Sequence, residues 1–285
     1  MSTTERKPPI IWSIAGTDSG GGAGLAADQR AADAFGVHLC PVVAAVTAQS
    51  TVAVTQVQAV APELLDAQLQ ALAADLPPRV IKTGLLGSAD NVGVLADFID
   101  RQRRQGPLAL VVDPVLRAST GAALADAELR AAYRDWLLPR ATVITPNQAE
   151  AVALLEERGE AVPADIPAQA RALRALGCGA VVITGGDAAL IERHDSLSID
   201  WLDTPQTTGW LSLPRERTPH NHGTGCTFAS ALAAALALGW VLADAAVLAK
   251  MAATHALRHA RAVGRGVGPV IAREGFGTDP SLLPR

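Results

Sequence analysis

The chain has 285 residues, 49% of them hydrophobic, with a formal net charge of −4. That length suits one large domain or two small ones, and the acidic balance excludes the basic field that nucleic-acid binding requires. Three cysteines at distant positions, Cys40, Cys178 and Cys226, make neither a disulfide framework nor a paired metal motif, so reduced thiols in a cytoplasmic protein are expected.

The first nine residues are polar and lack the apolar core of a secretion signal. Ile10 to Ala15 is a short apolar run that reads as a buried strand, followed by a Gly-rich turn from Gly16 to Gly24. Leu25 to Phe35 reads as a helix closed by Gly36, and His38 to Thr47 as a second strand. Pro62 to Leu76 reads as a helix, with Pro in its first turn and Pro77-Pro78 beyond its end. Arg79 to Thr83, Leu108 to Val112, Thr142 to Thr145 and Ala180 to Ile183 are further apolar strands. Helices are expected between them, one to about Arg104, one from Glu128 to Leu138, one from Asn147 to about Glu157 and one from Ala168 to Leu176. Alternation in Leu197 to Leu202 and in Trp210 to Leu213 predicts antiparallel edge strands.

The stretch from Gly223 to Ala243 carries no charge and is long enough to span a bilayer. Its Ala content and the helix stop at Gly239 instead predict the buried central helix of a soluble fold, with no membrane role. A second Ala-rich helix runs from about Ala243 to Arg261, and the Gly/Pro-rich tail from Gly264 reads as surface drape. Repeated strand–helix units with apolar strands predict an α/β fold, its mostly parallel sheet covered on both faces. One domain over 1–285 is expected, with 1–9 and 264–285 as peripheral tails.

In such sheets ligands bind at the carboxyl ends of the strands, where this chain keeps its unusual residues. Gly20 to Gly24 does not have GxGxxG spacing, and no GxxxxGK[ST] loop exists anywhere. The better anion site is the loop Gly223-Thr224-Gly225-Cys226, whose bare amides open the Ala-rich helix at its positive end. Thr224 or Thr227 is expected to cap that helix, and Cys226, in its first turn, to have a lowered pKa. Asn147 and Glu150 share one helix face. That pair suits either a hydrated Mg²⁺ or a capping box.

Four segments together resemble the hydroxymethylpyrimidine (phosphate) kinases of the ribokinase superfamily. They are Ile14 to Asp28, Thr47-Ala-Gln-Ser-Thr51, Thr145-Pro-Asn-Gln-Ala-Glu150 and His222-Gly-Thr-Gly-Cys-Thr227, with weaker support from Asp113-Pro-Val115 and Lys82-Thr-Gly-Leu85. The resemblance implies a three-layer α/β/α fold with a small β flap and a homodimer using ATP and Mg²⁺ on a small pyrimidine alcohol. It implies that Gly223, Thr224 and Gly225 hold the transferred phosphoryl and that Cys226 occupies the position of the base. Asn147, Thr184, Gly186 and Thr224 would face the nucleotide, and Asp113 and Glu150 the metal, through water. Gly16, Ala23, Asp28, Thr47, Gln49, Leu85 and Val115 would line the pyrimidine pocket, with Gln49 and Asp28 bonding the ring nitrogens and amine.

One departure stands out. Thr184-Gly-Gly-Asp187 replaces a Lys-Gly-Gly-His run common in such enzymes, so a phosphate-facing cation is missing there. Arg117 is the candidate substitute, and the loss weighs on phosphorylation of the monophosphate more than of the alcohol. Pyridoxal kinase is the alternative activity, and a non-catalytic pyrimidine-binding module the alternative of another class.

Overall fold

The computed structural model describes residues 7–117, 124–156, 161–185 and 196–273. Nine strands form one sheet: β1 (Ile10–Gly16), β2 (His38–Gln49), β3 (Val54–Ala59), β4 (Val80–Thr83), β5 (Ala109–Val112), β6 (Val143–Ile144), β7 (Val181–Ile183), β8 (Leu197–Asp203) and β9 (Thr208–Pro214). Their order is β3-β2-β1-β4-β5-β6-β7-β8-β9. The six strands from β2 to β7 pair in parallel, and β3, β8 and β9 join antiparallel at the two edges. The parallel strands are the continuous apolar runs of the sequence, as burial on both faces requires.

Strand pleating sorts those runs into two cores. Trp12, Ile14 and Ile81 face a layer made by α2 (Pro62–Ala73), α3 (Ala89–Arg103), α4 (Ala127–Ala132), α5 (Gln148–Glu156) and α6 (Ile166–Arg174). Ile11, Val80 and Val111 face α1 (Gly24–Phe35), α7 (Thr224–Leu238) and α8 (Leu242–Arg258). This is the expected three-layer α/β/α arrangement. Helix α7 is buried almost all round, and its alanines let α1, α8 and the sheet approach it closely. It ends at Gly239 in the left-handed conformation, as predicted. Among the described residues no helix is long and apolar enough to cross a membrane.

Two differences from the sequence reading, at β3 and after Gly264, have physical causes. Strand β3 was not foreseen, because an edge strand with exposed Thr55 and Gln56 lacks the apolar run of its neighbours. The antiparallel edge strands expected at Leu197 to Leu202 and Trp210 to Leu213 are β8 and β9, which extend the main sheet because β8 pairs with β7 over Val181 to Ile183. The segment after Gly264 is no loose drape over its described part. Val267 N donates to Thr51 O, His222 N to Gly268 O and Val270 N to His222 O, at 3.0, 3.2 and 3.0 Å. Val270 is 1% exposed. The glycines of this strap permit the approach: a Cβ on Gly266 would collide with the Thr51 carbonyl and one on Gly268 with that of Arg261. Residues 274–285 and Gly186 lie outside the described residues.

Candidate active site

At the carboxyl ends of the strands lies a cavity of about 1090 Å³. Every predicted site residue lines it except Asp28 and the undescribed Gly186. The loop Gly223 to Cys226 forms one wall. Gly223 has φ 86°, a left-handed conformation that suits glycine, and a Cβ there would strike the Gly22 carbonyl. No side chain caps α7: Thr224 Oγ1 donates back to Asn221 O at 2.6 Å, so neither Thr224 nor Thr227 fills the predicted capping role. Thr224 N donates to Asn221 O at 3.2 Å, which leaves the Gly225 and Cys226 amides of the first turn for a ligand anion.

Cys226 is half-buried beside that loop. Burial pushes its thiol up to about 12, Asp113 and Asp28 add to the rise, and Lys82 opposes it. The expected lowering is therefore reversed, because burial of the thiol, with Asp113 and Asp28 adding to it, outweighs the groups that favour the thiolate.

Beneath the cavity Lys82 is fully buried, its Nζ 2.9 and 3.0 Å from the Asp28 oxygens and 3.8 Å from Asp113 Oδ2. Ser13 and Ser230 also donate to Asp28, at 2.5 and 2.7 Å. Asp28 is 0% exposed and satisfied by these three partners. This corrects its assignment to the pyrimidine: the carboxylate neutralises Lys82 and is not available to a ligand.

Across the cavity, Asn147 Oδ1 accepts from Glu150 N and Glu150 Oε2 accepts from Asn147 N, both at 2.9 Å, a reciprocal capping box. The capping reading thus holds, yet both residues also line the cavity. Burial pushes Glu150 up to about 8, with Asp113 adding, while the Asn147 and Leu116 amides pull it back. Burial likewise raises Asp113 to about 6, with Lys82 opposing and Asp28 adding. Asp113 Oδ2 is buried without a hydrogen-bond partner. An orphaned carboxylate oxygen beside a second carboxylate with a raised pKa fits a hydrated divalent cation held by few protein oxygens.

These shifts make a prediction for the metal-free protein. Between about 4.5 and about 8 the folded state keeps a proton on Glu150 that the unfolded chain has lost. The contribution to stability is complete below the unfolded value and disappears as pH rises through about 8. Melts in chelator should show wild-type stability falling between pH 5 and 8, by up to about 1.4 kcal/mol per pH unit for one proton. Glu150→Gln should flatten that fall, and equal slopes would refute the assignment.

The Gly-rich turn is organised by Asp18. Its Oδ1 accepts from Gly20 N at 2.8 Å, and its Oδ2 from Gly22 N, Ala23 N and His222 Nε2 at 2.9, 2.8 and 2.8 Å. Burial works against the Asp18 charge, but bonds from His222, Ala23 and Gly20 hold its pKa below the usual carboxylate range. The Gln49 amide nitrogen lies 3.0 Å from the same His222 ring nitrogen. With Thr47, Gly16, Ala23, Leu85 and Val115 it lines the cavity.

A phosphomethylpyrimidine kinase family model matches residues 18–271. The chain belongs to that family. A Synechococcus elongatus hydroxymethylpyrimidine/phosphomethylpyrimidine kinase is 45% identical over 264 residues, 92% of this chain and 96% of the relative. Among solved structures, a Bacillus subtilis pyridoxal kinase in an ADP complex superposes with TM-score 0.82 at 29% identity, covering 93% of this chain and 98% of that one. A Clostridium difficile phosphomethylpyrimidine kinase gives TM-score 0.70 at 29% identity, over 85% of this chain and 96% of that one. The ribokinase-like fold and an ATP-dependent hydroxymethylpyrimidine kinase activity, both expected from the four segments, agree with these findings.

For a phosphomethylpyrimidine kinase, two residues that shape the site went unassigned in the sequence reading. Lys82 is a lone charge inside the apolar strand Val80-Ile-Lys-Thr83, and a buried ammonium needs a buried partner. Asp18 opens a run of glycines, the setting in which a carboxylate gathers consecutive amides. Both signals were present without saying which distant groups would answer them.

Proposed function

We propose that the protein transfers the γ-phosphoryl group of ATP, taken as its magnesium complex, to the hydroxymethyl oxygen of 4-amino-5-hydroxymethyl-2-methylpyrimidine, and then phosphorylates the monophosphate. The observation carrying this reading is that the Gly223–Cys226 loop and the Asp113, Asn147 and Glu150 group line one cavity. Phosphoryl transfer needs in-line positioning and neutralisation of charge more than covalent chemistry. In this reading the loop amides donate to the oxygens of the migrating phosphoryl, and the Cys226 thiolate, formed by prior loss of the thiol proton to solvent, takes the proton of the acceptor hydroxyl. Asp113 and Glu150, with Asn147, would hold magnesium through water, and the ion would neutralise phosphate charge.

Gly16, Ala23, Thr47, Gln49, Leu85 and Val115 enclose the ring, with Gln49 reading its polar edge. Thr184 faces the nucleotide without adding charge, so Arg117, on the cavity wall, serves the extra phosphate of the second acceptor. A cytoplasmic homodimer belongs to the same proposal.

Pyridoxal kinase is the second reading, favoured by the backbone likeness to the Bacillus enzyme. An ADP-release assay with three acceptors separates the possibilities. Magnesium-dependent turnover is expected on hydroxymethylpyrimidine and its phosphate, with lower kcat/KM on pyridoxal. Higher kcat/KM on pyridoxal would reverse the assignment. Absence of ADP with every acceptor would leave a non-catalytic binding module.

A further inference from the structure

Lys250 lies on α8 with its side chain 6% exposed, yet it lines the cavity. Its Nζ donates to Asp200 Oδ2 at 2.8 Å and to Ser198 Oγ at 3.3 Å. An ammonium has three N–H groups, so these two bonds leave one for the cavity. Asp200 is itself fixed, since its Oδ1 accepts from Gly185 N at 3.0 Å. The end of β7, strand β8 and helix α8 are thereby tied together around one cation. Ala253, Thr254 and Leu257, three, four and seven residues further on, line the cavity from the same helix face.

We propose that Lys250 is a nucleotide-binding residue whose remaining N–H donates to the phosphate chain of ATP. The proposal rests on the ATP-dependent reading above and adds a residue to it. A triphosphate brings several negative charges, and the Thr184-Gly185 end of the wall offers it neutral groups. Of the other cations on the described wall at that end, Arg217 is exposed and Arg215 is half-buried with its Nε donating to Leu197 O at 3.2 Å. Lys250 is the buried one. A buried ammonium held by two partners loses little freedom when a ligand arrives and acts through a medium that screens it weakly. A pair serving only to join α8 to β8 would gain nothing from a place on the cavity wall, because buried ion pairs are replaceable by apolar packing without loss of stability.

The test compares ADP with adenosine, which lacks the phosphates. Titration calorimetry on Lys250→Met should show ADP affinity lower by about 10- to 100-fold, the size expected for a charged hydrogen bond, with adenosine unchanged. The double variant Lys250→Met/Asp200→Asn leaves no unpaired buried charge and keeps an acceptor for Gly185 N, so it guards against misfolding. Lys250→Arg should restore most of the preference for ADP, and it decides the matter if both methionine variants fail to fold: a folded arginine variant without that preference overturns the proposal. Loss of both ligands in parallel, or an ADP preference unchanged in a folded methionine variant, also overturns it. A wild-type protein that binds ADP no better than adenosine would sink the ATP reading itself, a result distinguishable from these.

Discussion

Replacing Cys226 by serine should lower kcat by about 10²–10⁴-fold, the usual worth of a general base, while nucleotide and pyrimidine affinities change little. Serine keeps the size of the side chain and a hydrogen-bonding atom beside the loop, so the cavity and its amides should persist. What it removes is an atom able to hold the proton of the acceptor alcohol. In the ligand-free protein the thiol is protonated at neutral pH, since burial, Asp113 and Asp28 drive its pKa up to about 12. Charge neutralisation at Asp113 would remove one of those causes when the nucleotide complex binds. Wild-type kcat should therefore keep rising above pH 8, whereas the variant should rise only through the titration of Asp113 and Glu150, near 6 and 8, and then level off. Steady-state kinetics across pH 6–10 make the comparison. Near-normal turnover in the serine variant would end the base role and leave the loop amides as the source of the rate.

Lys82→Met is expected to destabilise the protein by about 3–5 kcal/mol, the range for breaking a buried pair on one side. That corresponds to a fall in Tm on the order of 10 °C for a domain of this size. The cause is the partner left behind: Asp28 is 0% exposed and would keep Ser13 and Ser230 but lose the cation bonded to it among the described residues. Adding Asp28→Asn should recover much of the loss, because the amide can still meet both hydroxyls without carrying charge. Thermal melts of the wild type, the single and the double variant decide it. A single variant as stable as the wild type would show that the pair contributes no stability.

The parallel strands, their helices and the cavity-lining loops were legible because each is written locally. Apolar runs such as Leu108 to Val112 announce buried strands, and glycine before an uncharged helix announces an anion loop. Failures came where the answer lies far along the chain. Asp28 shares the first turns of α1 with residues that do reach the cavity, and only its pairing with Lys82, 54 positions away, turns it to the interior. Cys226 was judged by its helix end alone, while its pKa is governed by burial and by Asp113 and Asp28. Strand β3 and the strap after Gly264 owe their shape to backbone hydrogen bonds, which leave no hydrophobic period to read.

The strap has a consequence for how the site would respond to truncation. His222, next to the phosphate-gripping loop, finds the partners of its own peptide group in Gly268 and Val270. All nine strands and helices α1 to α8 precede those two residues, α8 ending at Arg258. A chain cut just after α8 would therefore keep every regular element of the sheet and its layers while leaving the backbone at His222 untethered beside the loop.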